Sequence, residues 1–305
     1  MGQDHRGAVH ILKQGTLKWC QWRRENPAIA PDLSHQDLSY INLRGIDLTH
    51  CNMSQSRLSY ARFIAGNLKE ANLSMIQGDH LQLQETNLRH INLSNALLTQ
   101  SNFSGADLQD AYCIGSDLRQ CLLRNANLQE ANLIGTNLRE SDLFGANLTK
   151  ANLNRSNLSE TCLLETSLNE ADLSGANLFE AEMSNGFFYK ASFVGANLTR
   201  AHLHKGYLFG ANLQAAILRQ ADLSWVIATY GNFAGADLAG TNFRGADLRY
   251  TNFVGANLQR ANLRGCQLNF ANLEQCNLIG ANLDETQLGQ VNLRRATMPN
   301  GLVRC

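Results

Sequence analysis

The sequence predicts an all-β solenoid with a square coil, and three observations predict it. A large apolar residue returns at every fifth position from Leu33 to Met298 without a slip in phase. Of these 54 positions, 51 are Leu, Phe or Met, and only Gly78, Cys113 and Ala228 depart. The residue two places earlier is small almost throughout, as at Ala146, Ala151, Ser156 and Thr161, and the one between is usually Asn or Asp, as in Ala126-Asn127-Leu128.

A period of five suits neither a helix nor a long strand, whose apolar spacings are 3.6 and 2. Small and large residues two apart lie on one side of a short extended stretch. The next pair must then follow a bend. Four such stretches close a coil of 20 residues, within the range of periods that mark solenoids. No coil can bury its own apolar residues, so stability comes from stacking on neighbours. Asn and Asp suit the bends, because their side chains bond nearby backbone and tolerate unusual dihedrals.

Residues 4–25 precede the repeat. Val9, Leu12, Thr16 and Trp19, with Ile11, Lys18 and Trp22, follow helical spacing interrupted only at Gly15. Asp4 is the expected N-cap and Glu25-Asn26-Pro27 the stop. A helix with a Trp and Leu face would close the open first coil, whose core and edges need covering. A partner-binding helix is the alternative.

Within the repeat, the departures look compensated. Gly78 is accompanied by Ile76 at the small position and Ala228 by Val226, an exchange that keeps core volume roughly constant. A local bulge at Gly78 is the alternative. After the repeat, Met298-Pro299-Asn300-Gly301 reads as a turn with four residues beyond it. That covers the last coil thinly, so either a frayed tail or an end-to-end dimer is expected.

The stretch Ala146-Asn147-Leu148-Thr149-Lys150-Ala151-Asn152-Leu153 resembles the A-(D/N)-L-x-x consensus of the pentapeptide-repeat family, and the resemblance runs over residues 31–298. The N-terminal segment resembles the helical leader of many bacterial members. The resemblance implies a right-handed quadrilateral β-helix of about 13 coils with a short N-terminal α-helical cap. The expected division is 1–30 for cap and linker, 31–298 for the β-helix and 299–305 for the tail. The family also implies non-catalytic roles. It abounds in cyanobacteria, where one member regulates heterocyst differentiation through protein contacts. Others protect DNA gyrase as strongly acidic DNA mimics.

Charge bears on that choice. The 26 basic and 26 acidic residues give a formal net charge of zero. This removes the basic footprint of a nucleic-acid binder and argues against the acidic mimic. Among the eight cysteines, Cys51, Cys121, Cys266 and Cys276 take the small inward position and Cys113 the central one. They read as core thiols, which implies a reducing, cytoplasmic compartment. No apolar run could cross a bilayer.

No catalytic motif stands out, and neither a cofactor nor a metal is expected. Residues 20 apart should stack in columns, which gives two candidates. Glu182, His202 and Asp222, with His204 nearby, could face a divalent cation, or form a plain charge ladder. The histidines at 35, 50 and 90 look scattered. The second candidate is aromatic: Phe187, Tyr189, Tyr207, Phe209, Ile227 and Tyr230 point outward, Tyr250 and Phe270 continue the column of Tyr230, and Trp225 adjoins at a corner. A contiguous apolar patch marks an interaction surface for a protein partner or a second copy. Packing between coils is the alternative.

Overall fold

The computed structural model describes residues 3–304, the side chains of 3–6 excepted. The chain forms two compact units, Met1–Ala151 and Asn152–Cys305.

In the first unit, α1 (Gln3–Lys13) and α2 (Thr16–Glu25) precede the coils. The helical spacing predicts one helix, but Gly15 at φ 99° divides it. That backbone region is open mainly to glycine. The predicted cap at Asp4 falls on a side chain outside those described. The buried indole of Trp19 donates from Nε1 to the Asp47 carbonyl at 2.6 Å. Arg23 donates to the carbonyls of Ile29 (2.7 Å) and Thr49 (3.1 Å). With Leu12 and Ala8 also buried, the helices bond the first coil, as a cap must.

Within each unit, residues between small and central positions bridge in parallel to the residue 20 further on. Asp32 pairs with Asn52, Asp37 with Arg57, Asn42 with Arg62 and Asp47 with Asn67, one bridge per side. In the second unit the same pairing runs from Asn152 with Asp172 to Asn277 with Thr297. Each side ends in a tight turn: the Ile46 N–H donates to the Leu43 carbonyl at 3.2 Å, and Gly45 between them has φ 67°. A positive φ at the third residue of the turn is the requirement of a type II turn.

That residue bears the unusual dihedral, rather than the Asn or Asp of the motif. Glycine fills many of these sites, but His, Glu, Gln, Arg and Tyr also occupy them near φ 55–60°, for example His50 at 59° and Glu130 at 58°. The motif Asn does two other things. Its Oδ1 accepts the N–H two residues on, as Asn232 does from Ala234. Its Nδ2 donates to the Oδ1 one coil back, as in Asn252 to Asn232 to Asn212, each at 3.0 Å. Asp, which only accepts, stands at the start of such ladders: Asp32 beneath Asn52, and Asp222 beneath Asn242.

The central and small residues are buried through most of both cores. In the last coil Leu283, Leu293 and Met298 are half-buried and Leu288 is exposed. At Gly78 the ladder continues without a bulge, its N–H donating to the Leu97 carbonyl at 2.7 Å. Ile76 and Leu98 fill the space beside it, their Cδ atoms 3.5 and 3.1 Å from where a Cβ would stand. In the second unit phenylalanines share the core, with Phe233 stacked on Phe253 at 4.8 Å. The C-terminal segment turns at Met298–Gly301 and pairs antiparallel through Thr297 and Val303. The tail is therefore hydrogen-bonded, not frayed.

Candidate functional site

The outward aromatic residues lie on the unit Asn152–Cys305. Phe187, Tyr207 and Ile227 occupy the bridge position in three successive coils, each paired to the next. On the other sides of these coils the bridge position is mostly Asn or Asp, whose amides and carboxylates knit the rungs, and this column itself carries Ser167 before the three and Asp247 after them. Here three rungs in a row give up those bonds for exposed apolar side chains. One bond is replaced from elsewhere: Asn169 Oδ1 accepts the Tyr189 N–H at 2.9 Å.

The rings form a continuous chain. Tyr189 stacks on Phe209 at 5.9 Å, and Phe209 meets Tyr207 at 6.3 Å and Tyr230 edge-on at 5.4 Å. Tyr230, Tyr250 and Phe270 then stack face to face at 4.9 Å intervals. Tyr189 and Phe209 are half-buried, whereas Phe187, Tyr230 and Phe270 keep half or more of their surface exposed (50, 55 and 51 %). Trp225 stacks on no other ring among the described residues. Its indole lies over the backbone of Gly245 at the same corner one coil on.

Charged groups bound the patch. Below Ile227 the column passes to Asp247. Its carboxylate takes two bonds from Arg249, Nε at 2.9 Å and Nη2 at 2.7 Å. The Arg249 hydrogen bond holds the Asp247 carboxyl below its ordinary 3.8 and raises the guanidinium further. Lys190 places Nζ 5.1 Å from the centre of the Tyr189 ring, a cation–π contact.

The other column does not assemble as a metal site. His202 Nδ1 lies 2.7 Å from Glu182 Oε1, but Asp222 Oδ1 instead accepts the Ser224 N–H and the Asn242 amide. His204 turns to the Ser224 hydroxyl at 2.8 Å. No group of three or more His, Cys, Asp or Glu among the described residues is placed to hold a metal ion. Five cysteines are buried, and desolvation pushes each thiol up to about 12.

Two features of the first unit go beyond what the spacing suggested. His50 and His90 are not scattered: they share a corner column with acids, His50 Nδ1 lying 3.1 Å from Glu70 and His90 Nδ1 3.8 Å from Asp110. Tyr40, Tyr60 and His80 stack at 5.1 and 4.6 Å on another corner. Following every column at a spacing of 20 would have found both.

Stacked five-residue turns with a buried Leu and Phe ladder define a solenoid repeat protein. The sequence profile described as Pentapeptide repeats matches in eight copies, over residues 32–74 and in overlapping stretches from 82 to 298. The chain belongs to the pentapeptide-repeat family, and its fold is the family's right-handed quadrilateral β-helix. No protein with a curated description matches it. Among solved structures it is similar to HetL, a pentapeptide repeat protein involved in heterocyst differentiation regulation from the cyanobacterium Nostoc sp. strain PCC 7120. That match has 29 % identity over 93 % of this chain and 98 % of HetL, with a TM-score of 0.34. Rfr23 from the cyanobacterium Cyanothece 51142 is 30 % identical over 38 % of this chain and 58 % of its own (TM-score 0.17). QnrB1, a plasmid-mediated fluoroquinolone resistance protein, is 16 % identical over 72 % of this chain and 93 % of its own (TM-score 0.41). No helix among the described residues is long and apolar enough to cross a membrane.

Proposed function

We propose that this chain is a non-catalytic interaction scaffold or regulator whose aromatic face, from Phe187 to Phe270, receives a protein partner or a second copy. One observation carries this: three consecutive rungs at Phe187, Tyr207 and Ile227 replace the ladder-forming Asn or Asp with exposed apolar groups. A scaffold under selection for stability alone loses by that exchange, since each lost bond is worth about 0.5–1.5 kcal/mol and each exposed cross-coil side-chain pair about 0.2–1 kcal/mol. Aromatic side chains on a rigid, pre-formed surface are the usual anchors of association. Membership of the pentapeptide-repeat family supports the non-catalytic part of this reading. A DNA mimic needs a surplus of carboxylates, which 26 acids against 26 bases do not supply. The buried free thiols support work in a reducing compartment.

The test compares the intact chain with Tyr207→Glu/Phe209→Glu in affinity capture and sedimentation velocity. The double variant loses partner capture or self-association while its far-ultraviolet circular dichroism is unchanged. Unchanged assembly, or a loss of assembly with loss of fold, removes the basis for the proposal.

A further inference from the structure

Beside the aromatic face runs a corner where two cations flank an exposed Trp. Lys205, Trp225 and Gly245 occupy that corner in three successive coils. The Lys205 N–H donates to the Ser224 carbonyl at 3.0 Å and the Trp225 N–H to the Arg244 carbonyl at 2.9 Å. Lys205 therefore stands one rung before the indole and Arg244 one rung after it, at strand-like spacings of roughly 5 Å. Among the described residues no carboxylate lies in ion-pair reach of Lys205, Arg244 or Lys190. By contrast the nearby acids are engaged: Asp247 by Arg249, Asp237 by Arg219, and Asp222 by the asparagine ladder. From residue 190 to 264 the chain has eight basic residues and three acidic ones. Of these, Arg200, Arg219, Arg249 and Arg264 pair with Glu180, Asp237, Asp247 and Glu285, which leaves Lys205 and Arg244 as the cations beside the exposed Trp225.

We infer that the partner of this face is an acidic polypeptide segment, lying extended along the solenoid axis, with an apolar side chain on Trp225 between carboxylates paired to Lys205 and Arg244. This rests on the proposed function above and adds the chemistry of the partner. Opposite charges at the rim of an apolar patch steer and select the partner. A nucleic acid fits less well. Base stacking needs free ring faces, yet Tyr250 lies between Tyr230 and Phe270, and the Trp225 indole has one side against Gly245. Tracking a phosphate backbone also needs a continuous basic groove, whereas Asp222 and Asp247 interrupt this one.

The experiment uses the full chain and fluorescein-labelled 15-residue peptides read by fluorescence anisotropy. One peptide repeats Glu-Ser-Phe-Ser, which sets acid and apolar side chains alternately along one side of an extended strand. Controls replace Glu by Lys, or Phe by Ser, and a 15-nucleotide oligothymidylate is the nucleic-acid probe. The Glu/Phe peptide binds, each control peptide binds at least tenfold more weakly, and binding weakens as salt rises. Lys205→Glu/Arg244→Glu lowers the affinity at least tenfold, Trp225→Ala does likewise, and circular dichroism is unaltered. No binding of the Glu/Phe peptide, equal binding of the Lys/Phe peptide, or tighter binding of oligothymidylate overturns the inference. The two proposals fail separately. If Tyr207→Glu/Phe209→Glu abolishes assembly but Lys205→Glu/Arg244→Glu changes nothing, the face remains an interface and its partner is not acidic.

Discussion

The indole of Trp225 occupies the space beside Gly245, so close that a Cβ built on the glycine would fall 2.7 Å from Cε3 and 2.8 Å from Cζ3. The corner glycine thus sets the orientation of the most exposed large ring on that edge. Gly245 also sits at φ 71°. Gly245→Ala therefore displaces the indole and adds backbone strain of about 1–2 kcal/mol. With Trp19 and Trp22 replaced by Phe in both proteins, acrylamide quenching of Trp225 rises in the alanine variant. Identical quenching would mean that the ring does not depend on the glycine.

Gly186 offers a contrast, because its limit is core volume. A Cβ there would meet Phe188 Cζ at 2.5 Å and the Met183 carbonyl oxygen at 3.1 Å. Overpacking of this kind costs about 1–3 kcal/mol. Gly186→Ala lowers the stability read from urea denaturation by that amount, and Phe188→Leu in the same chain recovers most of it. Failure of the second change to rescue the first would place the strain in the backbone.

The core thiols make the fold sensitive to alkali. Burial raises Cys51, Cys113, Cys121, Cys266 and Cys276 from 9.0 to about 12. A raised folded value means that the unfolded chain releases protons first, so stability is whole below pH 9 and declines between pH 9 and 12. Urea midpoints fall across that window, and replacing these cysteines by Ala flattens the fall. At pH 8 a thiol reagent modifies none of the five until the chain unfolds.

At the acid end the Asp247–Arg249 pair has the opposite sign. The Arg249 bonds depress the Asp247 carboxyl below 3.8, so its contribution is complete above that pH and is lost as pH falls below it. Asp247→Asn removes this part of the acid dependence, read from urea midpoints between pH 5 and 2. An unchanged slope would show that the pair contributes nothing, as many exposed pairs do.

The coil was legible because the buried Leu and Phe positions repeat without a slip, and a buried ladder tolerates few other residue types. Even the exceptions followed volume, as Ile76 beside Gly78 shows. The aromatic face was legible for the converse reason: Phe187, Tyr207 and Ile227 stand where the repeat asks for Asn. What resisted reading lay at the corners. Those residues meet no packing rule of their own, so His50 and Glu70, or Tyr40 and Tyr60, are recognised only when the column is followed. The orientation of Trp225 depends on a glycine 20 residues away, and the division of the N-terminal helix on one glycine dihedral. Spacing alone carries neither.

Whether the aromatic face is packing or interface can be decided by restoring the repeat. Phe187→Asn/Tyr207→Asn/Ile227→Asn rebuilds the rungs: positions 207 and 227 regain a turn bond of the kind Asn232 accepts from Ala234 (Asn169 already accepts the Tyr189 N–H), and two ladder bonds of the kind Asn252 donates to Asn232 link the three. Each gained bond is worth about 0.5–1.5 kcal/mol. The exposed cross-coil ring contacts given up are worth about 0.2–1 kcal/mol per pair. If the face exists for a partner, the triple variant is more stable than the natural chain by about 1–2 kcal/mol and no longer binds, as happens where function displaces stability. Urea denaturation and the capture assay together separate the two cases. A less stable variant would assign the rings to packing between coils and leave the interface without support.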